Sequence, residues 1–99
     1  MMASRKDAKK DIEYTLAEII TDTLNVMHLH HGKKDNELLD LLEYLIDSRD
    51  ELISRLSHIP GKDNPAQIKL FFKKLYSDLE ECAEKGMERL SHIIKSISE

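Results

Sequence analysis

The chain has 99 residues, 40% of them hydrophobic and 34% charged, and its formal net charge at pH 7 is −4. This length suits one domain with a single apolar core, and the interspersed charges at helical spacing are not typical of disorder. The acidic balance disfavours nucleic acid as a partner, and no apolar run is long enough to predict a membrane span. The one cysteine, Cys82, permits no internal disulfide, and the first ten residues carry no signal-peptide pattern. We therefore expect a single soluble, cytoplasmic domain over residues 1–99.

The first predicted helix runs from about residue 4 to residue 31. Ser4 is a good N-cap, and Asp7 places a carboxylate in the first turn, where the helix end is positive. Gly32 follows the last periodic residue and predicts the end of the helix. Helical spacing places one set of residues on the inward face: Ile12, Leu16, Ile19, Ile20, Thr23, Val26, Met27 and His30.

The second predicted helix covers residues 36–59, between a cap at Asp35 or Asn36 and a break at Pro60. Arg49 is the one charged residue on its apolar face, and we expect it to pair with Asp22 or Asp78 at the margin of the core. The predicted inward residues are Leu38, Leu42, Leu45, Leu52, Leu56 and Ile59.

The third predicted helix covers residues 65–98 and begins with Asn64 as the cap and Pro65 in the first turn. Its length of roughly 50 Å exceeds that of the second helix by ten residues. If the helix is continuous, its last turns project beyond the second helix and expose their apolar side chains. A break near Gly86 is the alternative, in which the final residues fold back as a fourth helix.

These elements predict an all-α fold, an antiparallel three-helix up-down-up bundle with a long third helix. The short first connection makes helices one and two antiparallel neighbours. A four-helix bundle is the alternative if the third helix breaks near Gly86.

No sequence motif predicts an enzyme or a cofactor. The chain has no Gly-rich phosphate loop and no nucleophile elbow, and Cys82 lies on the inward stripe of the third helix, where a thiol is usually inert. The predicted function is a protein-protein interaction or self-association module, with another protein or a second copy in a homodimer as the partner. The predicted interaction residues lie near the end of the third helix: Met87, Leu90, Ile93, Ile94 and Ile97.

The alternative function is a metal- or ligand-binding bundle. His28, His30 and His31 cluster at the end of the first helix, and imidazole is a ligand for zinc, nickel and copper. Helical spacing, however, directs His30 away from the other two. Dipole stabilisation at the helix C-terminus is the simpler interpretation of this cluster, and we expect no metal site.

Overall fold

A computed structural model describes residues 4–61 and 63–98 of the chain. These residues form three helices and no strand: α1 (Arg5–Leu29), α2 (Asp35–Arg55) and α3 (Pro65–Ser98). All three helices pack against one another in a body of 54 × 20 × 18 Å. The prediction of an all-helical, three-helix fold is confirmed.

The predicted capping residues begin α1 and α3. The Ser4 hydroxyl accepts the backbone N–H of Asp7 at 3.1 Å, and the Asn64 side chain accepts the N–H of Ala66 at 3.1 Å. Each bond satisfies a donor that has no partner within its own helix. Gly32, with φ +76°, turns the chain after α1, which ends two residues before the predicted boundary.

Both ends of α2 differ from the prediction. Lys34, in the left-handed conformation, precedes the helix, and Asp35 is the first helical residue instead of a cap. The helix ends at Arg55, four residues earlier than predicted, because the next turns tighten. Their N–H groups bond to carbonyls three residues back, as from Leu56 to Ile53 at 3.0 Å.

The third helix is continuous through Gly86, so the four-helix alternative is wrong. Gly86 is buried where three helices meet. A Cβ atom there would lie 2.9 Å from Cδ2 of Leu45 on α2 and 3.5 Å from Cγ2 of Ile19 on α1. The glycine therefore allows the close approach of both neighbouring helices.

The buried face of α2 is rotated away from Arg49. Leu41 is fully buried while Leu42 is only half-buried, because α2 packs against α3 as well as α1. Arg49 is therefore not aimed at the core: its side chain is 39% exposed and bonds to the adjacent Asp50 at 3.2 Å. The predicted pairing of Arg49 with Asp22 or Asp78 is wrong. The core consists of Ala8, Ile12, Leu16, Ile19, Leu38, Leu41, Leu45, Leu52, Leu56, Phe72, Leu75, Leu79, Cys82, Ala83, Leu90 and Ile93.

The surplus length of α3 lies at its N-terminal end. Arg55, the last residue of α2, contacts Asp78 at 2.6 Å, which is 13 residues or about 20 Å into α3. Tyr44, earlier on α2, contacts Arg89, later on α3. The connection after α2 runs back along the first turns of α3, so the C-terminal half of α3 lies beside α2. The predicted projection of that half is therefore wrong.

Candidate interaction surface

The predicted interaction residues divide between the core and the surface. Leu90 and Ile93 are buried, with 7% and 6% exposure, so they are unavailable to a partner. Ile97 is half-buried against the same core. Met87 and Ile94 are exposed, at 54% and 39%. These two residues are the exposed members of the predicted set.

A hydrogen bond shows which sides of α1 and α3 face each other. The Tyr76 hydroxyl donates to the Asp11 carboxylate at 2.5 Å. Leu29 and Ile94 each lie 18 residues further along their helices, which is five turns at about 3.6 residues per turn. Ile19 lies beside Gly86, and these residues are eight and ten positions further along than Asp11 and Tyr76, so α1 and α3 run in the same direction. Leu29 and Ile94 therefore occupy the same edge, near the C-terminal ends of both helices. Leu29 is 72% exposed.

Met87 lies on the same edge. It follows Tyr76 by 11 residues, as Asp22 follows Asp11, so Met87 and Asp22 repeat that pairing about three turns further along. We define the α1/α3 surface as Leu29, Met87 and Ile94. Leu29 was not among the residues singled out from the sequence, because the offset between α1 and α3 becomes known only from a tertiary contact.

Acidic side chains accompany the α1/α3 surface. Glu18 and Asp22 precede Leu29 on α1, and Glu80 and Glu84 precede Met87 on α3 by seven and three residues, spacings that share a helix side. All four are exposed. None of them takes part in the ion pairs found among residues 4–61 and 63–98. We call these four residues the acidic flank.

The lysine and arginine residues nearest to Met87 on α3 contact other groups, and α1 has none beside this surface. Between Lys10 and Lys33 the chain contains no lysine or arginine. The cations of α3 closest to Met87 in sequence both turn toward other groups: Lys85 lies 3.7 Å from Glu81, and Arg89 stacks over the ring of Tyr44 at 5.1 Å. The acidic flank therefore faces solvent without local neutralisation by these residues.

The three clustered histidines lie at the C-terminal end of α1 and in the turn that follows it. The rings of His28 and His31 pack edge to face with centroids 5.6 Å apart. His30 is half-buried, and its backbone N–H donates to the carbonyl of Val26 at 3.0 Å, which caps α1. Over residues 4–61 and 63–98, no three His, Cys, Asp or Glu side chains converge in a way that could hold a metal ion.

A groove of about 330 Å³ between α2 and α3 is lined by three of the paired charged residues, Glu51, Arg55 and Asp78. Arg55 bonds to Asp78 at 2.6 Å and to Glu51 at 2.8 Å, and Lys74 bonds to Asp78 at 2.9 Å. These bonds, first from Arg55 and then from Lys74, lower the pKa of Asp78. The groove side chains Arg55 and Asp78 therefore satisfy each other and join the helices. Buried Cys82 also lines this groove.

Compared with protein-family models, curated proteins and solved structures, the chain gives no match. Among the helices of the described residues, none combines the length and the apolar character needed to cross a bilayer. Function is therefore inferred from the geometry of the chain's own residues.

Proposed function

We propose that the protein is a small interaction module, a cytoplasmic three-helix bundle without enzymatic activity that binds a protein partner through the α1/α3 surface. The observation that carries this proposal is the exposure of Leu29, Met87 and Ile94 on one edge of a bundle whose interior is otherwise closely packed.

We also propose that the three helices run in up-down-up order. Two contacts support this order: Tyr44, earlier on α2, meets Arg89, later on α3, while Arg55, at the end of α2, meets Asp78, earlier on α3. The two helices therefore run in opposite directions.

The apolar area alone supports weak binding. Complete burial of a large apolar side chain contributes about 1.5–3 kcal/mol, so the exposed fractions of Leu29, Met87 and Ile94 together supply about 2.5 to 5 kcal/mol. A micromolar complex requires about 8 kcal/mol after the cost of association is met. A specific partner must therefore make further contacts around the apolar centre, as polar rims do in other interfaces.

Site-specific photo-cross-linking tests this proposal. A photoreactive amino acid replaces Met87 in one variant and Leu70 in a matched control, because Leu70 is also exposed, at 64%, but lies in the first turns of α3. In the native cell, we expect a cross-linked protein with the probe at position 87 and not at position 70. Equal cross-linking at both positions, or none at position 87, would contradict an interaction role for this surface.

Light scattering tests the second copy as the partner. In a homodimer formed through the α1/α3 surface, the apparent mass doubles at high micromolar concentration and returns to the monomer value in Met87→Ser. A monomer in both proteins excludes self-association through this surface and leaves a different protein as the partner.

A further inference from the structure

We infer that the partner presents a cationic amphipathic helix, which docks lengthwise along the α1/α3 surface and places its Lys and Arg side chains against the acidic flank. This inference rests on the proposed function and adds the chemical class of the partner. Two independent features of the same edge carry it: an apolar centre that is too small for tight binding alone, and carboxylates without ion-pair partners in the described part of the chain.

The apolar residues have the spacing that a docked helix requires. Met87 and Ile94 are seven residues apart, or about 10 Å along α3, and Leu29 lies opposite Ile94 on α1. A partner helix with apolar residues at i, i+3 or i+4, and i+7 covers the same distance and lies between two helices in the usual helix-in-groove manner.

The acidic flank continues this line toward the middle of the bundle. Glu80 and Glu84 lie about 10 and 5 Å before Met87 on α3, while on α1 Glu18 lies near the level of Glu84 and Asp22 near the level of Met87. Carboxylates of α1 and of α3 thus lie on the two sides of the same stretch of surface. A partner segment of about 15 residues would place its apolar turns on Leu29 and Ile94 and its basic residues between these carboxylates.

A second copy of the chain fits this edge less well. Symmetric association with the two α3 helices parallel brings two acidic flanks together, and like charges in contact oppose binding. The basic residues of the chain that precede this region, such as Lys9 and Lys10, lie at the opposite end of α1. Their use would require head-to-tail contacts, which do not close and would appear in light scattering as growth beyond a dimer.

Fluorescence anisotropy with a synthetic peptide tests the inference. The probe is an 18-residue peptide of leucine and lysine with its leucines on one helical face. One control has the same composition in an order that gives no apolar face, and a second carries glutamate in place of lysine. We expect the folded protein to bind the first peptide at least tenfold more tightly than either control, with affinity falling between 50 and 200 mM salt.

Variants of the protein locate the binding. We expect Met87→Ser, and separately the double substitution Asp22→Asn with Glu84→Gln, to weaken peptide binding at least tenfold. The matched controls are Leu70→Ser and the pair Glu13→Gln with Glu43→Gln, which remove the same chemistry from exposed positions elsewhere and should change affinity less than twofold. Circular dichroism verifies that each variant has the helical content of the parent protein.

Each outcome decides the inference. Absence of binding, equal binding of the reordered peptide, or equal weakening by the control variants would overturn it, because general attraction between opposite charges would then explain the data. If the peptide fails but the probe at position 87 still cross-links a protein, the cationic class is wrong and the interaction surface stands. If light scattering shows a dimer that Met87→Ser dissociates, a second copy occupies the surface and the inference is overturned.

Discussion

Replacement of Gly86 by alanine sets two known effects against each other. Alanine is favoured over glycine in a helix interior by about 1 kcal/mol. The added Cβ, however, would lie 2.9 Å from Cδ2 of Leu45, which is fully buried, and 3.5 Å from Cγ2 of Ile19. Overpacking of a filled core costs about 1–3 kcal/mol. We therefore expect Gly86→Ala to lower the free energy of unfolding by about 1 kcal/mol, with the packing cost exceeding the helix gain.

A double-mutant cycle isolates the contact that causes this loss. Leu45→Val removes the Cδ2 atom, so in that background the alanine should keep its helix advantage and raise the free energy of unfolding by about 1 kcal/mol. The sign of the Gly86→Ala effect thus reverses, and the coupling is about 2 kcal/mol. Urea denaturation followed by circular dichroism measures all four proteins. Stabilisation by Gly86→Ala in both backgrounds would refute the close approach of Leu45 to α3.

Three further predictions concern polar contacts, each measured by urea denaturation. Arg49→Met should change the free energy of unfolding by less than about 0.5 kcal/mol, because in the described part of the chain Arg49 pairs only with its neighbour Asp50. Arg55→Met should instead cost about 1 kcal/mol through loss of its bond to Asp78 on α3. Equal costs for the two substitutions would contradict this assignment. The lowered pKa of Asp78 means that its ionised form stabilises the fold. The parent protein should therefore have a higher free energy of unfolding than Asp78→Asn at neutral pH, and this difference should disappear as the pH falls below about 3.8. A difference that stays constant at all pH values would exclude a stabilising role for the ionised carboxylate. Burial and the hydrogen bond to Asp11 raise the pKa of Tyr76 to about 12. Tyr76→Phe should therefore lower the free energy of unfolding by about 1 kcal/mol at pH 7, and this loss should decline as the pH rises through 10 to 12. A loss that increases with pH would contradict this coupling.

Local signals in the sequence predicted the three helices because breaks between helices depend on nearby residues. Gly32 turns the chain after α1, and Asn64 with Pro65 begins α3, as expected. The end of α2 was wrong because Pro60 marks only where a helix can no longer continue. Tightening of the hydrogen bonds from Leu56 onward ends the helix earlier, and no residue in that stretch signals such tightening.

The periodic pattern of a single helix does not show which of its residues are buried where two other helices pack against it. The apolar residues of α2 define a wide stripe, and the positions of α1 and α3 decide which part of the stripe is covered. Burial of Leu41 instead of Leu42 rotates the covered part enough to place Arg49 at the margin. The candidate surface has the same limitation, because Leu29 becomes relevant only through the offset that the bond between Tyr76 and Asp11 establishes.

The location of the surplus length of α3 changes how the exposed apolar residues should function. A projecting helix end would have to become ordered when it binds, and that ordering would reduce the affinity. Because the first turns of α2, at Glu37 and Asp40, lie beside Ile93 of α3, Leu90 and Ile93 are buried in the core and hold Met87 and Ile94 on a packed helix. A partner that bound this edge would meet a preorganised surface, so even its modest apolar area would contribute fully to the proposed binding.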